Sequence, residues 1–130
     1  MRRFFGNAAH SSASVRKGEV RERVSEARSH FAKALQVNRY NPYHHAYYGI
    51  LLRQLGDDSG ALKELLEAER LDSSVFLAYH NLGSLYMQMS KLQEAKKQLE
   101  TAVEMNPSFS AAYNVLGALQ WGRALSSAEI

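Results

Sequence analysis

From residue 19 onward, apolar residues return every three or four positions, the spacing that gathers them on one face of an α-helix. Val20, Val24, Ala27, Phe31 and Leu35 form the first such stripe, with Arg21, Glu22, Arg23, Glu26, Arg28 and Lys33 on its solvent side. The pattern is clearest between Tyr79 and Pro107. Tyr79, Leu82, Gly83 and Tyr86 lie on one helical face, and Ala95, Leu99 and Ala102 lie on a second. Ser90 with Gln93 three residues later has the form of a capping box, a start signal for the second helix. This predicts a helix hairpin, with Gly83 and Ala95 small where the two backbones come close.

The same pattern returns after 34 residues. Gly83 corresponds to Gly49 and Gly117, Ala95 to Ala61 and Ala27, Leu99 to Leu65 and Phe31, and Ala102 to Ala68 and Ala34. The order aromatic-x-x-Leu-Gly-x-x-aromatic, Ala-x-x-x-apolar, Pro resembles the tetratricopeptide repeat, a helix hairpin that stacks on copies of itself. The resemblance runs from Val20 to Arg123. It implies an all-α fold, a short right-handed α-solenoid of two full hairpins flanked by half repeats, with seven or fewer helices and no strands. One hairpin cannot cover its own apolar face, so stacking supplies the core.

Local signals divide the chain further. Asn41 before Pro42 reads as an N-cap with proline at the first helical position, opening a helix that ends near Leu55. Gly56-Asp57-Asp58-Ser59 reads as a turn, and residues 61–71 as the partner helix. Ser73-Ser74 reads as the opening of the next helix, and Asn106-Pro107 as the end of the central hairpin. The last helix is expected from Ser108 to about Ala124, with Ser126-Ser127 suited to cap another. The expected division is a basic tail over 1–18, a repeat domain over 19–125 and a short tail over 126–130.

Composition narrows the function classes. The 130 residues include no cysteine, which removes disulfides, thiolate metal sites and cysteine nucleophiles. The net charge of +3 is uneven: residues 1–18 hold Arg2, Arg3, Arg16 and Lys17 and no acid, leaving 12 basic and 13 acidic residues for the rest. A segment that is Arg-rich, Ser-rich and acid-free has the composition of a mitochondrial transit peptide. The alternatives are a basic tail on a cytoplasmic protein and a remnant of a lost first helix.

Charge also follows the repeat. No Asp, Glu, Lys or Arg falls between Arg39 and Arg53, between Asp72 and Lys91, or between Glu104 and Arg123, the first helices of the three hairpins. The resemblance implies that these helices line a concave groove. Carried over by register, the groove positions are Tyr43, Tyr47, Ile50 and Arg53; Leu77, His80, Asn81, Ser84, Met87 and Gln88; and Asn114, Ala118, Leu119 and Trp121. Aromatic, thioether and amide side chains suit an apolar or amphipathic peptide fixed by a few hydrogen bonds. Some members of the family grip an acidic C-terminal peptide with lysines, an arginine and asparagines. Asn81 matches that set, but Ala46, Ile50, Ala111 and Val115 stand at its other positions, so carboxylate-clamp binding of chaperone tails is rejected.

No catalytic or cofactor motif is present: there is no G-x-S-x-G, no P-loop and no G-x-G-x-x-G. Adjacent His44 and His45 point to different helical faces, with no carboxylate nearby in sequence, so packing is expected of them and not metal binding. Lys91, Lys96 and Lys97 alternate with Glu94 and Glu100, the pattern of a solvated face and not of a phosphate-binding one. The reading is a non-enzymatic interaction module or scaffold without cofactor, binding a protein or peptide partner. Its alternative is a structural subunit of a large organellar assembly, with nucleic acid touched only by the basic tail. On the last helix, Tyr113, Leu116 and Gln120 are expected to face Leu99 and Ala102. That would leave Val115, Ala118, Leu119 and Trp121 as an apolar edge for a second copy, a partner subunit or further repeats.

Overall fold

The computed structural model describes residues 8–128, and the side chains of 16–122 within them. Six helices and no strand occupy the described residues: α1 (Ala8–Val37), α2 (Pro42–Gln54), α3 (Asp58–Leu71), α4 (Phe76–Gln88), α5 (Leu92–Met105) and α6 (Ser110–Ala128). The pairs α2–α3 and α4–α5 are the two hairpins, α1 packs on α2, and α6 packs on α5. The fold is a short all-α solenoid of stacked helix hairpins. The backbones of α2 and α4 approach each other, as do those of α4 and α6, whereas those of α3 and α5 do not. The stack therefore closes on the α2–α4–α6 side, which is the inside of its curve.

Two glycines set the hairpin spacing. A Cβ on Gly83 would stand 2.5 Å from Leu99 Cγ, and one on Gly49 would stand 2.7 Å from Leu65 Cγ. Each glycine lets the leucine of the following helix lie against the bare helical backbone, and Leu65 and Leu99 are fully buried in consequence. The close partner of Gly83 is thus Leu99 and not Ala95. Ala61, the counterpart of Ala95, does approach Gly49 through its carbonyl oxygen, 3.3 Å from the added Cβ.

The core runs through the stack in three patches. Leu52, Ala61, Leu65, Leu82 and Leu85 join the two hairpins, with Tyr48, Tyr86 and Met89 at the margin. Ala46, Ala68, Val75 and Ala78 fill the end of the first hairpin. Tyr79, Ala102 and Ala112 join α4 and α5 to α6, where Phe76 and Phe109 meet edge to face with ring centres 4.7 Å apart. The Tyr79 hydroxyl donates to the Ser73 carbonyl at 2.8 Å, so the buried phenol is not left unpaired.

The helix ends show which local signals were decisive. Asn41 accepts from the Tyr43 N–H at 2.9 Å with Pro42 at the first turn, as the sequence indicates. Asp57 accepts from the Gly60 N–H at 3.0 Å and caps α3. Its register counterpart Lys91 caps α5 with no side-chain bond. Ser90 is not an N-cap. It has φ 61° and closes α4, its N–H bonding the Met87 carbonyl at 3.1 Å while that of Lys91 bonds the Tyr86 carbonyl at 2.8 Å. Gly56, 34 residues earlier, makes the same turn at φ 84°. Ser73-Ser74 does not cap α4 either. Asp72 Oδ1 accepts from both the N–H and the hydroxyl of Ser74, which makes a turn before the helix.

Both terminal helices depart from the expected limits. Helix α1 is already formed at Ala8, well before Glu19, and no proline interrupts the stretch between them. Among its residues with described side chains, Val24, Ala27, Phe31, Ala34 and Leu35 are half-buried while Val20 is exposed. Helix α6 continues through Ser126 and Ser127 to Ala128, so the serine pair does not begin another element. Residues 1–7 and 129–130, which hold part of each expected tail, lie outside the described residues.

Candidate functional site

The helices α2, α4 and α6, whose charged residues are Arg53 and Arg123 alone, line the inner side of the stack, and the sequence-selected residues divide there into three groups. Arg53, Ser84, Met87 and Gln88 come together around one depression of about 450 Å³, with Val115 of α6 completing its wall. Tyr43, Tyr47, Asn114, Ala118 and Trp121 are exposed on the same three helices without lining it. Ile50 and Leu77 are half-buried against the core patches and contribute more to packing.

Two residues of the set are corrected. Asn81 is 5% exposed and its amide donates to the Leu77 carbonyl at 2.8 Å, so it braces its own helix and offers nothing to the groove. Leu119 is 2% exposed and belongs to the core. The buried face of α6 is Ala112 and Leu119, with Val115 and Leu116 half-buried between them. Tyr113 and Gln120, expected to face α5, are exposed instead, Tyr113 by 49%. The helix is rotated by about one residue from the expected phase, because Ala112 is what meets Tyr79 and Ala102. The proposed apolar edge thus loses Leu119, and Trp121, 66% exposed, is the large apolar residue left on it.

His80 sits beside the depression. Its ring meets Phe109 edge-on with centres 4.9 Å apart, and its Nδ1 is buried without a hydrogen-bond partner. Burial, and secondarily the positive charge of Arg53, hold its pKa below the ordinary histidine value. The Arg53 Nε is likewise buried with no partner, and none of the ion pairs among the described residues involves Arg53. The site is therefore a partly apolar hollow with one guanidinium in its wall and no acid to answer it.

The sequence reading missed Val115 as a lining residue and Phe109 as the support under His80. Val115 lies 34 residues after Asn81, so its groove position was legible, but the sequence placed it as a replaced clamp residue and on the apolar edge of the last helix. The missing clamp itself has a structural counterpart. Ala46 is wholly buried among Ala68, Val75 and Ala78, and Asn81 is turned inward.

A second cavity, about 390 Å³, lies where α1, α2 and α3 meet, and His45, Glu64, Arg39 and Tyr40 are among its walls. His45 Nδ1 lies 2.7 Å from Glu64 Oε2, and Nε2 lies 2.6 Å from the Arg39 carbonyl oxygen. Both ring nitrogens are thus engaged, one by each side. The ring thereby ties the α1–α2 turn to α3, a structural task in keeping with packing at this position. His44 points elsewhere, toward the Asn38 carbonyl at 3.4 Å. No group of three or more His, Cys, Asp or Glu side chains among the described residues is placed to hold a metal. None of the described helices is long and apolar enough to cross a membrane.

The outer helices carry charge as expected. Arg70 pairs with Glu67 one turn away on α3, and Lys96 with Glu100 at 3.8 Å on α5. Arg16, Lys17 and Arg21 gather around exposed Val20 on the unpacked part of α1.

Two family models match the chain: one described as tetratricopeptide repeat over residues 77–109, and one described as TPR repeat over 49–90. The small glutamine-rich tetratricopeptide repeat-containing protein 2 of Mycosarcoma maydis is 26% identical over 78 residues, which are 60% of this chain and 22% of that protein. The chain thus spans less than a quarter of the length of this relative. Among solved structures, the first TPR of Spaghetti (RPAP3) bound to the HSP90 peptide SRMEEVD superimposes with a TM-score of 0.76 at 26% identity, covering 84% of this chain and 86% of that one. The first TPR domain of human RPAP3 superimposes with a TM-score of 0.74 at 27% identity, covering 88% of each chain. The repeat of 34, the glycine–leucine contacts and these matches agree. Residues 49–109 are tetratricopeptide repeats.

Proposed function

We propose that this protein is a non-enzymatic interaction module whose α2–α4–α6 groove takes up an extended or helical amphipathic peptide segment of a partner protein. The observation that carries this is the single depression formed by Arg53, Ser84, Met87, Gln88 and Val115, residues from three successive inner helices that have little else to do. A hollow with apolar walls and a few polar groups is the usual form of a peptide subsite. Helical repeats of this family bind partners in the neighbour that carries the SRMEEVD peptide, which supports a peptide as the class of ligand. The clamp residues for such a tail are absent here, so the groove reading is of an apolar segment and not of a chaperone terminus.

The test is a selection of random display peptides on the full chain, followed by affinity measurement of the selected sequences. Met87→Lys, which places a long charged side chain in the depression, should abolish their binding. Lys97→Glu on the outer face of α5 should leave it unchanged. Peptides whose binding ignores Met87→Lys would show that the groove is not the docking surface.

A further inference from the structure

We propose that Arg53 is the specificity anchor of this groove and that it selects an internal acidic side chain, Glu or Asp, flanked by apolar residues of the bound peptide. The inference rests on the groove reading above and adds the chemistry of one subsite to it.

The guanidinium is the one charged group in the depression, and among the described residues it has neither an ion-pair partner nor a hydrogen-bond acceptor for its buried Nε. A guanidinium that lines a half-apolar hollow without an ion-pair partner is costly to leave so, and a carboxylate answers it best, because its two oxygens match the planar fork of the terminal nitrogens. His80 makes no bond to it, since its own Nδ1 is also without a partner. The same hollow is lined by Met87 and Val115, so the residues flanking the incoming carboxylate have apolar surface to meet.

The location explains why the acid is a side chain and not a chain terminus. The resemblance puts a clamp arginine at the position of Val115. In this chain the guanidinium reaches the same hollow from α2 instead. The other groups needed to hold a terminal carboxylate are gone: Ala46 is buried and Asn81 is bonded to the Leu77 carbonyl. One cation without those supports matches one carboxylate within a segment that continues past it in both directions.

The experiment uses peptides selected on the full chain, resynthesised with the acid changed to its amide and, separately, with an amidated C-terminus. The expected result is a common internal Glu or Asp. Changing it to the amide should weaken binding by about tenfold or more, as loss of a charge-assisted hydrogen-bonded pair does. Arg53→Gln should cost the same with the acidic peptide and little further with the amide peptide, while its circular dichroism stays that of the parent. Selected peptides that lack an acid, or that bind Arg53→Gln as well as the parent while remaining sensitive to Met87→Lys, would overturn the anchor and leave the groove standing. Binding lost on C-terminal amidation and not on side-chain amidation would overturn the internal acid in favour of a terminus. Insensitivity to Met87→Lys would remove the groove, and the anchor with it.

Discussion

Leu99 lies against the bare backbone of Gly83 so closely that a Cβ there would stand 2.5 Å from Leu99 Cγ and 2.6 Å from its Cδ2. The contact couples α4 to α5 through an absent side chain. Gly83→Ala adds helix propensity of about 1 kcal/mol but must displace a wholly buried leucine. The net expectation is a loss of about 1–3 kcal/mol, by overpacking. Gly117, in the same register but with nothing within 4 Å, should instead gain about 0.5–1 kcal/mol on mutation to Ala. Leu99→Ala alone should cost about 2–5 kcal/mol. In that background Gly83→Ala should turn from harmful to neutral or better. Urea unfolding of the four variants decides it; equal effects of Gly83→Ala and Gly117→Ala would mean that the leucine has room to move.

Ser90 holds a left-handed conformation that Gly56 holds one repeat earlier. A side chain at positive φ costs roughly 1 kcal/mol that glycine does not incur. Ser90→Gly should therefore raise stability by about 0.5–1 kcal/mol, and Gly56→Ala should lower it by a similar amount. An unchanged melting temperature for Ser90→Gly would mean that the serine side chain compensates its own strain.

His80 makes stability depend on pH. Its folded pKa lies below the ordinary value, by burial and then by Arg53. The unfolded chain therefore takes up a proton more readily than the folded one. The stabilising contribution is complete above the unfolded pKa, about 6.5, and is lost as pH falls through the lower folded value. The urea midpoint should fall between about pH 7.5 and about pH 5, and it should fall less in His80→Leu. The imidazole signal of His80, followed by NMR, should titrate at higher pH in Arg53→Gln than in the parent. No movement there would separate the two side chains and weaken the account of the depression.

Much of this molecule is local and so was legible without coordinates. A hairpin that repeats must repeat its contacts, and the interval of 34 therefore marks Gly49 and Gly83, Leu65 and Leu99, and the three charge-poor inner helices. Asn41-Pro42 determines its helix start because cap and first turn are neighbours in the chain. Other features depend on what the element packs against. Ser90 has the composition of an N-cap, yet the preceding helix needs a left-handed residue at that point to satisfy its last carbonyls, and that requirement wins. The phase of α6 is undecided by its own sequence, since Ala, Tyr, Val and Leu occur on several of its faces; contact with Tyr79 and Ala102 buries Ala112 and Leu119 and turns Tyr113 outward. The site shows the same limit. Arg53, Ser84, Met87 and Val115 could each be assigned to an inner helix by register, but only the curvature of the stack, in which α2, α4 and α6 converge while α3 and α5 stay apart, brings one arginine into a hollow otherwise lined from the next two helices and leaves its Nε without a partner.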